Sequence, residues 1–468
     1  EQGDEAIYNK TETKHDRSEP DFGELPLFKT QEIWTGRLEN GLTIFGIENN
    51  EVPLVQFDIT IPGGHLLDPI GKTGVASFLS DLMMEGTATK SPADLEEAIG
   101  LLGASINMYS ANEDFHITGS CLTKNFEATM ALVKEIILEP RWDEKEFERL
   151  KLALETRLKG REANPNAIGS MVFNKLIYGD SHRFGIPGSG TLQTTKSISM
   201  SDLKSYYNNL SPKDAKFHIA GAITKDQAEN AITILKDWDG YRIAIPHYNI
   251  PLNSKKGNLY FIDIPDAKQS VIRIGKLALS EKDKDANKLN FANEIIGGGS
   301  SGQLFQTLRI DKGYTYGAYS GVSQSNEIAP FVVRTSVRAN ATLKSLNIIK
   351  DMITKYEDNF TDVEVTLTRN KVLKSNTRAF ESLGAQLAIL RNISKYDKPV
   401  TYIVDDQNEL VSMTLDDYKT IINKYLNEAE MIYLVVGDKQ TQWEDLKKLG
   451  KPVIELDIYG NVIENEKK

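Results

Sequence analysis

A chain of 468 residues is too long for one ordinary hydrophobic core, so two or more domains are expected. Hydrophobic residues make up 40% and charged residues 26%, an ordinary globular composition. The net charge of −11 argues against a nucleic-acid binder, which needs a basic face, and the sole cysteine, Cys121, excludes an intrachain disulfide or a thiolate metal cluster.

The chain begins at Glu1 rather than Met, which fits either a removed leader or a trimmed chain, and residues 1–25 are polar and unpatterned, as in an exported protein's mature N-terminus or a flexible arm. "GLTIFGIENN" and "VPLVQFDITIP" follow as strands. Next comes "GVASFLSDLMMEGT", residues 74–87, entered at Gly74 and closed by Gly86-Thr87. Val75, Phe78, Leu79, Leu82 and Met83 mark the packing stripe of a helix there. "GASINMYSANEDF", residues 103–115, reads as a structural strand, and Cys121 as a small buried side chain near a strand end. Phe126, Met130, Val133 and Ile137 form a second helical stripe, and "DEKEFERLKLALETRLKGRE" a long charged helix. No apolar run approaches the ~20 residues that span a bilayer.

The strongest organisational signal is internal. "MSDLKSYYNNLSPKDAKFHIAGAITKDQAENAI" and "LDDYKTIINKYLNEAEMIYLVVGDKQTQWEDL" share a pattern of helix, polar turn, glycine-ended strand and helix. Asp202 and Asp417 lie 215 positions apart, and Gly221 and Gly437 lie 216 apart. Leu346, Ile349 and Ile353 repeat Met130, Val133 and Ile137 at that same distance of 216. One offset held across separate segments implies two copies of one α+β domain. The expected organisation is an arm over 1–29, a first domain over 30–245, a linker over 246–257 and a second domain over 258–465. Each domain is expected to be a mostly antiparallel sheet covered by helices.

The run "GG…D…GKTGVASFLSDLMMEGT…LEEAIGLLGASINMYSANEDF" resembles the N-terminal half of the pitrilysin/insulinase/mitochondrial-processing-peptidase family, the inverted zinc peptidases. In that family the equivalent helix carries His-x-x-Glu-His before a Gly-Thr, with a distal ligand Glu further on. Histidines at i and i+4 share one helix face and one zinc ion, and the intervening Glu takes a proton from the bound water. Laid onto this chain, the motif positions fall on Ser77, Ser80 and Asp81, and the distal one on Arg157 when the Asn164-Pro165 turn is matched. Serine is a poor ligand and an arginine repels a cation, and none of the six histidines forms an i, i+4 pair. The resemblance therefore implies a degenerate site with no metal held by this chain.

"NFANEIIGGGSSGQLFQTLRIDKGYTYGAYSG", residues 290–321, resembles the C-terminal half of the same family. As a phosphate loop "GGGSSG" fails, because no Gly-Lys-Ser/Thr follows. Gly297, Gly298 and Gly299 instead suggest close approach of an extended substrate peptide. The family's Arg and Tyr, seven residues apart, match Arg309 and Tyr316, with Tyr314 as an extra aromatic neighbour. There the Arg grips peptide carbonyls and the Tyr donates to the oxyanion formed at a zinc centre on the opposite half of a clamshell.

The resemblance thus implies half of a clamshell: the non-metal subunit of a heterodimeric zinc endopeptidase, inactive alone. Its partner would be a similar-sized chain carrying His-x-x-Glu-His and the zinc, and the pair would act on peptides. The alternative is a proteolytically inactive scaffold or peptide-binding subunit. A stand-alone peptidase of another mechanism is disfavoured, since Cys121 has no evident His partner and no nucleophile elbow is present. Resemblance to two-chain bacterial members points to a periplasmic setting, with a mitochondrial one as the alternative.

Overall fold

The computed structural model describes residues 14–15, 31–250 and 255–463. The expected N-terminal arm, apart from Lys14 and His15, lies outside the described residues, as does the middle of the expected linker.

Among the described residues twelve strands form two six-stranded sheets. The first holds β1 (Ile33–Arg37), β2 (Thr43–Glu48), β3 (Leu54–Pro62), β4 (Ser105–Ser110), β5 (Asp114–Leu122) and β6 (Lys216–Gly221), in the order β1-β2-β6-β3-β5-β4. The second holds β7 (Leu259–Asp263), β8 (Gln269–Leu279), β9 (Thr315–Val322), β10 (Ala329–Arg338), β11 (Ile432–Gly437) and β12 (Val453–Leu456), in the order β12-β7-β11-β8-β10-β9. Most pairings are antiparallel; β2 with β6, β7 with β11 and β7 with β12 are parallel. This is the α+β, antiparallel-rich architecture expected from the repeat.

From the second strand onward the two orders superimpose, and β6 and β11 differ by the offset of 216 seen in the sequence. The outermost strands break the symmetry. In the first sheet β1 precedes β2 in the chain and pairs antiparallel; in the second β12 arrives from the C-terminal end and pairs parallel with β7. The repeated helical stripes are the Phe126–Leu138 and Thr342–Thr354 helices, and Met130, Val133, Ile137, Leu346, Ile349 and Ile353 all lie buried. Each helix covers one face of its own sheet.

The opposite faces are covered by exchange. The Pro165–Tyr178 helix, from the first half, lays Ile168, Val172, Phe173, Leu176 and Ile177 against Ile262, Val271, Ile432, Leu434 and Val436 of the second sheet. The Leu383–Tyr396 helix, from the second half, lays Leu383, Leu387 and Leu390 against Ile47 and Ala220 of the first. A sheet with two apolar faces needs two covers, and here each half supplies one to the other. Packing in the two halves is therefore not self-contained, a feature the sequence reading did not anticipate.

A polar network pins one of these exchanges. Asp58 on β3 is fully buried and meets His116 of β5 at 3.1 Å and Arg391 of the Leu383–Tyr396 helix at 2.7 Å. His218 of β6 donates from Nδ1 to the Asp58 carbonyl at 3.1 Å, leaving Nε2 to accept from the Ser394 hydroxyl at 2.7 Å. Burial pulls the His218 pKa down to about 4, only partly offset by Asp58. For Asp58 burial acts upward, but His116 and Arg391 outweigh it and hold the carboxyl below its ordinary value.

An unfolded histidine titrates near ~6.5, so between there and about 4 the unfolded chain binds a proton that native His218 refuses. Stability should therefore fall on acidification across that window, by up to ~1.4 kcal/mol per pH unit from this group. Urea denaturation at pH 7, 6, 5 and 4 is expected to show a falling midpoint, with a shallower slope in His218→Gln; an unchanged slope in that variant would contradict the assignment.

Candidate functional site

The degenerate helix spans Val75–Met83, and all five stripe residues are buried. Its entry is fixed by Asp68, whose carboxylate accepts from the backbone N–H of Gly74 and of Ala76, both at 2.8 Å. That satisfies N-terminal donors which otherwise lack intrahelical partners. His65 bridges Asp68, at 2.7 Å, to the carbonyls of Arg183 and Ile186. Gly74 sits at φ 103, and a Cβ there would fall 3.1 Å from the Gly190 Cα, so a side chain would be both strained and crowded. The framing residues noted in the sequence are the scaffold that holds this helix start.

At the four motif positions the donor set does not suit zinc. Ser80 is buried and donates its hydroxyl to the Ser77 carbonyl at 2.7 Å. Asp81 faces Arg157, on the Glu144–Glu162 helix, with Nη2 to Oδ2 at 3.5 Å. Phe78 and Phe147, stacked at 5.0 Å, hold the two helices together beside it. Asp81 and Arg157, which the resemblance aligns with the second histidine and the distal ligand, thus lie side by side as an ion pair. Burial raises the Asp81 carboxyl above its ordinary value, and Arg157 offsets this only in part. Two serines and one carboxylate committed to an arginine supply neither the ligand number nor the basicity of a zinc site. Among the described residues no three His, Cys, Asp or Glu side chains gather as a metal-holding group.

The second cluster lies at the free edge of the second sheet. The Ala286–Gly297 helix ends in the glycine run, and a wide π-helical turn over Gln306–Asp311 carries Arg309 just before β9, with Leu308 buried as its anchor. Tyr316, on β9, is 79% exposed, and the Arg309 guanidinium lies over its ring at 4.8 Å. Arg309 also donates to the Thr315 carbonyl at 3.3 Å, which fixes the stem and leaves donors free. Tyr314 packs inward, with the Arg338 guanidinium over its ring at 5.9 Å. No hydrogen bond, ion pair or ring contact links Arg309 or Tyr316 to Ser77, Ser80, Asp81 or Arg157 among the described residues.

The glycines divide by role. A Cβ on Gly297 would fall 1.9 Å from Ser320 Oγ, so the close approach there is made by this chain's own β9. The Gly298 carbonyl accepts from Lys371, which also pairs with Glu294 at 2.7 Å. Gly299, at φ 86, has open space beside it. The expected approach of another chain is left to Gly299.

Sequence reading missed the cavity beside Tyr316. It measures about 280 Å³ and is lined by Tyr316, Arg273, Arg334, Asn166 and Thr335 among others. Its signal was present: an arginine inside each of two largely apolar strand segments, "VIRI" and "FVVR".

Residues 45–181 match the family model described as insulinase (peptidase family M16), and residues 197–372 match the peptidase M16 inactive domain. The chain belongs to the M16 peptidase family. Within it, similarity extends to an uncharacterized zinc protease YmxG of Bacillus subtilis, 22% identical over 75% of this chain and 85% of that one. A protein of Helicobacter pylori named a non-peptidase homolog is 19% identical over 84% of this chain and 91% of its own length. A crystal structure of a peptidase M16 inactive domain from Pseudomonas fluorescens superimposes with a TM-score of 0.77 at 21% identity, over 87% of this chain and 98% of the other. M16 relatives thus include chains named as proteases and one named as a non-peptidase.

If Asp81 and Arg157 occupy former ligand positions, restoring ligands should restore binding. The variant Ser77→His/Asp81→His/Arg157→Glu is expected to retain about one equivalent of zinc after gel filtration, read by elemental analysis, against none for the parent chain. Absence of zinc from the triple variant, in a folded protein, would show that these positions do not converge.

Proposed function

We propose that this M16 chain is the zinc-free subunit of a two-chain endopeptidase and contributes Arg309 and Tyr316 to peptide bound at a partner's zinc site. The observation that carries the reading is the presentation of the pair. Tyr316 is exposed, its ring is backed by the Arg309 guanidinium, and neither side chain is spent on a carboxylate of its own chain. A purely structural role gives no reason to hold a tyrosine hydroxyl in solvent with a cation behind its ring.

In this reading a partner of similar size, carrying His-x-x-Glu-His, holds the zinc that activates water. Arg309 orients the peptide through carbonyl oxygens, for which its forked donors suit. Tyr316 O–H donates to the oxygen on which negative charge develops, and such a donor, in place before reaction, stabilises the transition state more than the ground state. The open edge of β9 and the space beside Gly299 leave room for an extended segment. A periplasmic setting belongs to the same proposal. The second reading, a proteolytically silent subunit, draws support from the Helicobacter relative's name.

The two separate on one comparison. A pull-down from the native source should recover the zinc-bearing partner, and the mixed chains should cleave peptide while this chain alone does not. Tyr316→Phe should then lower turnover of the mixture about 10²–10³-fold with assembly intact. Unchanged turnover would assign the chain to the silent reading.

A further inference from the structure

Arg273 on β8 lies directly opposite Arg334 on β10, and Arg334 lies directly opposite Tyr319 on β9. Opposed residues of an antiparallel pair share one face of the sheet, and like charges so placed repel. The face is the one covered by the Pro165–Tyr178 helix, because Arg273 Nη2 donates to Ser170 Oγ of that helix at 2.6 Å. Two adjoining cavities, of about 400 and 280 Å³, are both walled by Arg273 and Arg334, and the smaller is also walled by Tyr316.

Neither guanidinium has a carboxylate within ion-pair reach among the described residues, and the buried Nε of Arg273 has no acceptor. Burial, with Arg334 adding, pulls the Arg273 guanidinium down to about 10. The acid in the larger cavity's wall, Glu113, is already committed. It pairs with Lys395 at 2.9 Å and accepts from Ser325 Oγ and from the Asn326 N–H, each at 2.8 Å. Lys395 is likewise held, by Glu113 and Asp114. In a chain with 66 acidic and 55 basic residues, carboxylates to pair these arginines were plentiful, yet the pair is left open to a cavity.

We propose that Arg273 and Arg334 form a carboxylate-binding subsite that selects peptides bearing an acidic side chain, or a free C-terminus, next to the segment held by Tyr316. The assignment rests on the reading of Arg309 and Tyr316 as the peptide-contacting pair. Arg273 is pre-oriented by Ser170 on the cavity floor, while exposed Arg334 closes from the solvent side. Two forked cations bracketing one carboxylate supply charge-assisted, bidentate hydrogen bonds and relieve the mutual repulsion of the arginines. Lysine and arginine side chains of a substrate are excluded by the same field.

The test uses the isolated chain and four fluorescein-labelled decapeptides, with one internal Glu or Gln and a free or amidated C-terminus, read by fluorescence anisotropy. Removing the carboxylate that occupies the subsite is expected to weaken binding at least about tenfold. A loss on Glu→Gln names the side chain as the source, and a loss on amidation names the terminus. Arg334→Gln, at an exposed position that carries no packing load, should erase the discrimination while leaving the affinity of the amidated Gln peptide as it was. Equal binding of all four peptides, discrimination that survives Arg334→Gln, or no binding of any peptide would each overturn the proposal. Because this readout needs neither partner nor turnover, a mixture indifferent to Tyr316→Phe would remove the catalytic reading while leaving the carboxylate result to stand or fall alone.

Discussion

Everything in this chain depends on the exchange of one helix between its halves. A six-stranded sheet whose two faces are both apolar cannot be left half-covered, and each half lacks the second cover that it needs. The Pro165–Tyr178 helix buries Val172 and Phe173 on the second sheet, and the Leu383–Tyr396 helix buries Leu387 and Leu390 on the first. Asp58, Arg391, His116 and His218 add direction to the second contact, since a buried carboxylate accepts only an arrangement that satisfies it. The result fixes the edge of β9, the π-helical turn before it and the cavity floor under the first half's helix in one frame.

That frame carries two clusters of opposite character. On the first half, the Val75–Met83 helix is firmly seated: Asp68 caps its start, Gly74 allows the tight entry and Phe78 anchors it. Its Asp81 is engaged by Arg157 in an internal ion pair. That contact joins the Val75–Met83 and Glu144–Glu162 helices through a carboxylate and a guanidinium. On the second half, the opposite holds. Arg309 and Tyr316 stay outward at a sheet edge, where their burial would contribute more to stability than their exposure does.

The repeat, the α+β class and the buried stripes were legible in the sequence because they are local and periodic. Met130, Val133 and Ile137 announce a helix face, and a constant offset to Leu346, Ile349 and Ile353 announces a second copy. The candidate residues at the two sites were legible through a resemblance, since spacing alone does not distinguish Arg309 from any surface arginine. The helix exchange was not legible. Ile168, Val172 and Phe173 show that one face is buried, but nothing in their pattern names strands some hundred residues and more further on as the surface they cover. Gly297 was misleading for a similar reason: a glycine required by Ser320 of the same chain looks identical to one required by a ligand. Arg273 and Arg334 were visible as arginines within apolar strands, yet their pairing is a property of register, which only the folded sheet displays.

The central claim is that metal and oxyanion donor reside on different chains. Native mass spectrometry of the complex isolated from its source tests it most directly. The account predicts two similar-sized chains holding a single zinc ion that stays with the partner when the complex dissociates. Zinc travelling with this chain would contradict it.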